Sequence, residues 1–189
     1  MLRIILASES AQRKHALEVL GLSYEIIPSK IDEKAIRDPD HRELARKLSE
    51  AKARTVGEGN LDAVVIAADL FIVYDNKIYE KPRDKEEAYA MLSSLSGNTF
   101  EIITGLAVYR NDTQKMVSST QTCEVTFRTL LPDEIRDYIA RYPVLKCAAA
   151  FDPDGLLRFA ESVRGSYNFR SGLHMNHLIL FLREQGIRV

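Results

Sequence analysis

The stretch Ala63-Val64-Val65-Ile66-Ala67-Ala68 is an uninterrupted apolar run, and the acidic residue Asp69 follows it directly. An apolar run of this length without polar alternation is typical of a strand that is covered on both faces. We expect the strand to end at Asp69, at the edge of the sheet where open α/β proteins bind their ligands. Because a buried carboxylate is costly unless it is paired, a metal ion or a lysine is expected beside Asp69; helix capping is the alternative.

Segments of strand length alternate with segments of helical period along the rest of the chain. Residues 41–56, for example, place their apolar side chains on one helical stripe, and residues 118–129 alternate apolar and polar side chains. This alternation predicts a mixed α/β fold with a largely parallel central sheet and flanking helices, in one domain over residues 1–189. The other predicted strands are 3–7, 24–28, 71–74, 77–80 and 100–109, and the other predicted helices are 12–20, 84–95, 132–141 and 173–184, with a loop around 152–155.

The composition of the chain excludes several classes of protein. Hydrophobic residues make up 46% and charged residues 28% of the chain, which is ordinary for a protein with a buried core. With 26 Lys and Arg against 27 Asp and Glu, the net charge is -1, so no long-range field attracts nucleic acid or an anionic membrane. Cys123 and Cys147 form no CxxC pair, and no apolar stretch approaches the roughly 20 residues that span a bilayer. We expect a cytoplasmic protein without nucleic-acid or membrane partners.

The segment Ser8-Glu9-Ser10-Ala11-Gln12-Arg13 lies between a predicted strand and a predicted helix. Unpaired backbone N–H groups and the helix dipole favour an anion at such a helix start. The hydroxyls of Ser8 and Ser10 and the guanidinium of Arg13 add donors there, so the segment predicts a phosphate cradle. A capping serine beside a surface arginine is the alternative.

Three further charged residues complete a set that suits polyphosphate hydrolysis. Glu33 lies in an acidic loop, Lys52 lies at the edge of the apolar stripe of a helix, and Lys81 precedes a proline. Each has an ordinary alternative as a solvated side chain. Taken with Asp69, they supply oxygen ligands for Mg²⁺, cations for phosphates and a carboxylate that activates water. Neither GxxxxGK[ST] nor GxGxxG occurs, and no GxSxG turn is present to build a Ser-His-Asp triad.

These segments resemble the motifs of the Maf family of nucleotide pyrophosphatases. The stretch Leu6-Ala7-Ser8-Glu9-Ser10-Ala11-Gln12-Arg13 is similar to the LAS-x-SPRR opening of that family. The other similar pieces follow in matching order and spacing over nearly the whole chain. They are Asp32-Glu33, Glu50-Ala51-Lys52-Ala53, Ala67-Ala68-Asp69, Lys81-Pro82, residues 92–97, Thr104-Gly105, Gly165-Ser166-Tyr167-Asn168 and Gly172-Leu173.

The resemblance implies an elongated fold similar to that of the inosine triphosphate pyrophosphatases, with two lobes around one active-site cleft. It implies hydrolysis of a nucleoside triphosphate to a monophosphate and pyrophosphate, with Asp69 as the proton acceptor. The implied cofactor is a divalent cation, Mg²⁺ or Mn²⁺, and a homodimer is an expectation from the family. By matching position, the catalytic residues are Asp69, Lys52 and Lys81, the phosphate-binding residues are Ser8, Ser10 and Arg13, and the metal ligands are Glu33 and Asp69.

Three positions that the resemblance implies for base selectivity depart from the patterns of the family. The subclass that acts on thymidine and uridine triphosphates carries Arg, Thr and Gln there, and the subclass that acts on 7-methylguanosine triphosphate carries Trp, Gln and Glu. This chain has Gln12, Leu70 and Asp154, so we expect modified or non-standard nucleotides as substrates. Asp154 would accept hydrogen bonds from a guanine- or cytosine-like edge; a turn-forming role in Asp-Pro-Asp-Gly is the alternative.

Two further positions depart from the family. Ala149 replaces a glycine, which restricts the backbone, and His174 replaces the proline of Gly-Leu-Pro. A broad housekeeping pyrophosphatase is one alternative function. The other is a nucleotide-binding regulator of cell division, similar to the septum formation inhibitor, in which catalysis is lost. An enzyme is favoured because all four of the key charged residues are present: Asp69, Lys52, Lys81 and Arg13.

Overall fold

The computed structural model describes residues 2–166 and 170–189, and it confirms the predicted mixed α/β fold. Of the helices in these described ranges, none is long and apolar enough to cross a membrane. The strands are β1 (Arg3–Leu6), β2 (Glu25–Ile26), β3 (Ala63–Tyr74), β4 (Lys77–Ile78), β5 (Thr99–Arg110), β6 (Lys115–Phe127) and β7 (Ala160–Gly165), and the helices are α1 (Ala11–Val19), α2 (His41–Glu58), α3 (Lys85–Leu95), α4 (Pro132–Arg141), α5 (Pro153–Phe159) and α6 (Met175–Glu184).

The strands form a sheet in the order β2-β1-β3-β5-β6-β7, and β4 pairs with β3. β1 is parallel to both of its neighbours, and Leu6 lies opposite Ile26 on β2 and Ile66 on β3. The pairs β3–β4 and β6–β7 are antiparallel. Because Leu6 pairs with Ile66, the chain that leaves β1 begins its next loop beside the residues that precede Asp69.

β3 continues through Asp69 to Tyr74, so the prediction that this strand ends at Asp69 is wrong. The predicted strand 71–74 is the second half of β3. It turns into β4 at Asp75 and Asn76, whose φ angles of 50° and 56° are those that a two-residue hairpin turn requires. The strand is not interrupted at Asp69 because the side chain has a lysine partner and therefore does not need a helix start or bulk water.

Alternate residues of β3 enter two separate hydrophobic clusters. Val64 and Ile66 pack in the cluster that holds the buried leucines of α1 and α6. Val65 and Ala67 pack in the cluster that holds Ala53 of α2. The strand is thus covered on both faces, as its uninterrupted apolar sequence predicts.

α2 contacts β5 backbone to backbone at Gly105. A Cβ added to Gly105 would lie 2.2 Å from the carbonyl oxygen of Ala45, so a side chain at this position would push the helix away from the strand. Leu44, Leu48 and Val56 continue the buried face of α2 on either side of this contact.

The chain divides into two compact units. The first comprises Met1–Leu70, Thr104–Gln121 and Asn168–Val189, and the second comprises Phe71–Ile103 and Thr122–Tyr167. The second unit has an aromatic core with edge-to-face ring contacts. The ring centroid of Phe127 lies 4.8 Å from that of Phe100 and 5.6 Å from that of Phe159. One domain with two lobes around a single cleft stays a prediction.

The segment that begins at Asp152 starts helix α5, so the predicted loop around 152–155 is wrong. The Asp152 carboxylate caps the helix by accepting a hydrogen bond from the Gly155 N–H (2.7 Å), and Pro153 occupies the first helical position, where a missing N–H costs nothing. β7, which follows α5, was not predicted, because its sequence lacks apolar alternation. It pairs with β6 at the end of the sheet.

Ala149 and Ala150 both adopt the left-handed backbone region, with φ angles of 52° and 63°. This conformation costs an L-residue roughly 1–2 kcal/mol, so the restriction predicted at Ala149 is present as backbone strain. The Ala149 N–H donates to the Glu80 carbonyl oxygen at 3.0 Å, which ties this segment to the residue before Lys81.

Replacing Ala149 with glycine is expected to raise the free energy of unfolding by about 0.5–1 kcal/mol, because glycine adopts a positive φ without strain. The gain is smaller than the full strain energy, because glycine also makes the unfolded chain more flexible and so stabilises the unfolded state. Ala148 precedes it with a negative φ. Ala148→Gly is therefore the matched control and is expected to lower the free energy of unfolding by roughly 0.5–1 kcal/mol. Denaturant unfolding measures both changes. If the free energy of unfolding fell in both variants, the assignment of strain to Ala149 would be contradicted.

Candidate functional site

α2 carries Lys52 into the interior of the first unit. Asp40 caps the helix by accepting a hydrogen bond from the Arg42 N–H (2.8 Å), and the apolar face of the helix fixes its rotation against the sheet. Only 10% of the Lys52 side chain is exposed, and its Nζ lies 2.7 Å from Asp69 Oδ1 and 2.8 Å from Glu33 Oε1. The fold therefore brings together three of the residues that the sequence predicts.

Asp69 is buried with only one of its carboxylate oxygens paired. Oδ1 accepts a hydrogen bond from Lys52, whereas Oδ2 has no hydrogen-bond partner within the described residues. Desolvation raises the pKa of the Asp69 carboxyl, Lys52 and Arg13 oppose this effect, and Glu33 adds to it. An unpaired buried oxygen costs roughly 1–3 kcal/mol, so a cation or a proton donor at Oδ2 would be bound favourably.

The segment between β1 and α1 brings Ser8, Ser10 and Arg13 together, and the phosphate cradle predicted for them stays a prediction. Ser10 is the N-cap of α1, and its Oγ accepts a hydrogen bond from the Arg13 N–H (3.4 Å). Ser8 Oγ accepts hydrogen bonds from the Ser10 N–H (3.2 Å) and from Arg13 Nη1 (3.1 Å). Arg13 Nε donates to the carbonyl oxygen of Gly172 (3.2 Å), whose φ of +61° favours glycine. The guanidinium of Arg13 is thus held by two separate segments of the chain.

Arg13 belongs electrostatically to the same cluster as Lys52. Desolvation lowers the pKa of the Arg13 guanidinium, and the negative charges of Asp69 and Glu33 oppose this by favouring its charged form. Two carboxylates and two cations thus balance one another. The cluster offers negative oxygens to a metal ion and positive groups to phosphates at the same place.

Glu33 and Asp69 are the candidate metal ligands. The Glu33 side chain is 57% exposed, and Asp69 adds the unpaired Oδ2. Hard oxygen donors of this kind fit Mg²⁺, which commonly binds one or two carboxylates and completes its shell with waters and substrate phosphates. Over residues 2–166 and 170–189, no group of three or more His, Cys, Asp or Glu side chains is placed to hold a metal ion. The two carboxylates would therefore need additional ligands.

The predicted selectivity residues of the first unit lie in different settings. Gln12 is exposed in the first turn of α1, and its Oε1 accepts a hydrogen bond from Ser10 Oγ (3.0 Å). Leu70 is half-buried and follows Asp69 on β3, so the two side chains point to opposite faces of the strand. Of these two residues, Gln12 is the one that contacts Ser10.

Lys81 and Asp154 belong to the second unit. Lys81 is exposed, and its charge acts on a nearby thiol: burial and then Asp152 raise the pKa of Cys147, and Lys81 opposes them. Asp154 is exposed in the first turn of α5. The roles predicted for both residues stay predictions.

The carbonyl oxygen of Gly172 is a contact of Arg13 that side-chain patterns do not reveal, because it is a backbone group. The only sequence signal for it is the family-like Gly172-Leu173 pair. Tyr167 and Asn168, which belong to another family-like piece, lie outside the described residues.

Comparison with solved structures supports the fold. The chain is similar to a HAM1 protein from Coxiella burnetii, with a TM-score of 0.50 and 17% sequence identity, over 97% of this chain and 100% of that one. At this level of identity the similarity concerns the fold alone.

Comparison with protein families and curated relatives identifies the family. The family model described as Maf-like protein matches residues 3–185. A dTTP/UTP pyrophosphatase from Desulforamulus reducens is 37% identical over 98% of both chains, and one from Bacillus anthracis is 36% identical over 100% of this chain and 98% of its own. The resemblance seen in the motifs is confirmed, and the chain belongs to the family of Maf-like proteins.

Proposed function

We propose that this chain hydrolyses nucleoside triphosphates to a nucleoside monophosphate and pyrophosphate, with Asp69 as the proton acceptor. The observation that carries the proposal is the buried Asp69 carboxylate, which has one oxygen on Lys52 and the other without a hydrogen-bond partner in the described part of the chain. The curated relatives support the reaction class, because they are named dTTP/UTP pyrophosphatases.

The free oxygen of Asp69 is suited to take a proton from the attacking water. Desolvation raises the pKa of this carboxyl above its ordinary value, which makes it a stronger base than a surface aspartate. Lys52 opposes the shift and holds the carboxylate in a fixed orientation through Oδ1. Lys52 thus acts on both the charge and the position of the base.

The cradle is suited to hold the phosphates in line with that water. The N-terminus of α1 supplies backbone N–H groups, Ser8 and Ser10 supply hydroxyls, and Arg13 supplies a charged donor. We assign Lys81 to the same substrate as a second cation. Holding and neutralising the triphosphate accounts for most of the catalysis that this type of reaction needs.

A divalent cation, Mg²⁺ or Mn²⁺, would be held by Glu33 and Asp69. When bound, it would supply positive charge against the phosphate oxygens. Lys52 Nζ already contacts one oxygen of each of these carboxylates.

We further propose that the natural substrates are modified or non-standard nucleotides. The support is that Gln12, Leu70 and Asp154 depart from the residues of both subclasses that the family resemblance implies. Asp154 would favour a base that presents an amino or imino group. The dTTP and UTP named for the relatives are the competing substrates.

One screen tests both parts of the proposal. Purified protein is mixed with the standard triphosphates, including dTTP and UTP, and with modified ones, with Mg²⁺ or Mn²⁺, and pyrophosphate release is measured. We expect at least one modified triphosphate to exceed dTTP and UTP in kcat/KM. A kcat/KM for dTTP or UTP that matches or exceeds that of every modified triphosphate would contradict this expectation. Equal turnover of all common triphosphates would exclude the preference of Asp154 for a guanine- or cytosine-like edge. Binding without any pyrophosphate release would favour the nucleotide-binding regulator instead.

A further inference from the structure

His174 is completely buried in the first unit, where it precedes α6 as its N-cap residue. Its side chain makes no capping hydrogen bond and is instead directed to β6, where Nδ1 lies 3.4 Å from Ser119 Oγ. The same hydroxyl lies 2.8 Å from Nδ1 of His177, one turn further along α6. One serine on the sheet therefore joins two histidines at the start of a helix.

The donor and the acceptor of each hydrogen bond in this cluster follow from the amide of Gln121. The amide nitrogen of Gln121, which can only donate, lies 3.2 Å from His177 Nε2. His177 Nε2 must then accept, so His177 donates from Nδ1 to Ser119, and the Ser119 hydroxyl donates to His174 Nδ1. This assigns a neutral His174 whose proton is on Nε2, an atom without a hydrogen-bond partner among the described residues.

The electrostatics of His174 agree with a neutral ring. Burial, and to a lesser degree His177, lower the pKa of His174 to about 4, although the backbone carbonyl of Thr104 favours a proton on the ring. The neutral ring is oriented through Nδ1, which accepts the hydrogen bond from the Ser119 hydroxyl. The ring therefore lies between Thr104 on β5, Ser119 on β6 and the start of α6.

The backbone beside His174 leads directly to the phosphate cradle. Gly172 lies two residues earlier, and its carbonyl oxygen accepts the hydrogen bond from Arg13 Nε at 3.2 Å. Ser171 Oγ donates to the Leu173 carbonyl oxygen (2.9 Å) and accepts from the Leu173 N–H (3.3 Å), which stiffens the connection. On the other side, the His174 carbonyl oxygen accepts from the Leu178 N–H (2.7 Å), and Leu178 is fully buried in the core.

We propose that His174 is a positioning residue, which Ser119 anchors to the sheet so that the Gly172 carbonyl, and through it the guanidinium of Arg13, is held in place for the triphosphate. The inference rests on the proposed function, in which Arg13 binds phosphates. The imidazole fills a site where the family-like motif has proline. A side-chain anchor on β6 thus does here what a restricted backbone would do at a proline.

The test separates phosphate binding from catalysis. His174→Leu keeps much of the buried volume but loses both ring nitrogens, and Ser119→Ala removes only the shared hydroxyl. For each variant we expect about a tenfold rise in two quantities, the KM for the nucleoside triphosphate that is turned over fastest and the Kd for inorganic triphosphate. A rise of this size corresponds to the weakening of one charged hydrogen bond. We expect kcat to change less than about threefold. Inorganic triphosphate has no base or sugar, so its Kd reports on the cradle alone.

A double-mutant cycle shows whether His174 acts through Arg13. We expect Arg13→Lys to weaken triphosphate binding and the double variant Arg13→Lys/His174→Leu to bind no more weakly than Arg13→Lys, because the anchored guanidinium is already lost. His15→Asn is the matched control, since His15 is an exposed histidine on α1 whose Nδ1 lies 3.6 Å from Glu18 Oε2. It is expected to leave Kd and KM unchanged.

Each outcome decides between the inference and the proposed function. Additive effects of the Arg13 and His174 substitutions, or an unchanged Kd in folded variants, would overturn the positioning role while the proposed function stands. Wild-type protein that neither binds inorganic triphosphate nor releases pyrophosphate would overturn the proposed function and this role with it. Thermal unfolding monitors the fold of every variant. If His174→Leu is unfolded, the smaller change Ser119→Ala decides the question.

Discussion

Pyrophosphate release by the Asp69→Asn variant is expected to be about 10³-fold slower than that of the wild type, a loss within the range seen when a general base is removed. The amide retains the shape of the carboxylate, and its oxygen can still accept the hydrogen bond from Lys52, which is 2.7 Å long in the wild type. It cannot accept a proton from water. The measurement is steady-state pyrophosphate release with Mg²⁺ or Mn²⁺, and we expect kcat to fall much more than KM rises.

A matched control separates this effect from a general loss of acidic charge. Asp112 is an exposed aspartate whose Oδ1 lies 2.6 Å from Arg110 Nε. Asp112→Asn is expected to leave pyrophosphate release within about twofold of the wild type, because exposed ion pairs contribute little. Full activity in Asp69→Asn would end the assignment of Asp69 as the proton acceptor, whatever the control does.

Replacing Lys52 with methionine is expected to lower the free energy of unfolding by about 3 kcal/mol, because it leaves the buried Asp69 carboxylate without its cation. Methionine has a similar length and no charge. Glu33 loses the same cation, but it contributes less to this destabilisation because its side chain is more exposed than that of Asp69. The same change is expected to slow pyrophosphate release by about 10²-fold, since it removes a positive group from the site. Denaturant unfolding and the pyrophosphate assay measure the two effects.

The ion pair itself is tested by removing both of its members. In the double variant Lys52→Met/Asp69→Asn no charge is buried alone, so it is expected to recover more than half of the lost stability while it stays inactive. Lys47→Met is the control on the same helix, because Lys47 is 45% exposed in its pair with Asp38. We expect it to change the free energy of unfolding by less than about 1 kcal/mol. Similar decreases in the free energy of unfolding for Lys47→Met and Lys52→Met would contradict the inference that Lys52 compensates a buried carboxylate.

The sequence predicts most of the periodic elements of this fold because burial imposes a local pattern. The run 63–68 indicated a strand covered on both faces, and the two clusters against β3 agree with it. The sequence likewise predicts α2 from its stripe of apolar side chains and α4 from the proline at its start. The continuation of β3 past Asp69 could not be predicted in the same way. The Asp69 carboxylate in the middle of the strand is paired by Lys52, which lies 17 positions away.

The candidate site was predictable in its residue types and less so in its contacts. The need of Asp69 for a lysine or metal followed from the cost of an unpaired buried charge. The hydrogen bond from Arg13 to the Gly172 carbonyl spans 159 positions and involves no acceptor side chain, so no local pattern encodes it. The polar links from Ser119 to His174 and His177 have the same origin, since they depend on where β6 and α6 meet.

The approach of Gly105 to Ala45 has a consequence for the evolution of the site. Lys52 lies two helical turns beyond Ala45 on α2, so its distance from the sheet is set where two main chains touch rather than by the size of intervening side chains. The contact sets the spacing of the helix from the strand, and the apolar face of the helix sets its rotation. A side chain at position 105 would push α2 outward, and this would move the ammonium group of Lys52 away from its carboxylates although position 105 is not one of the predicted site residues.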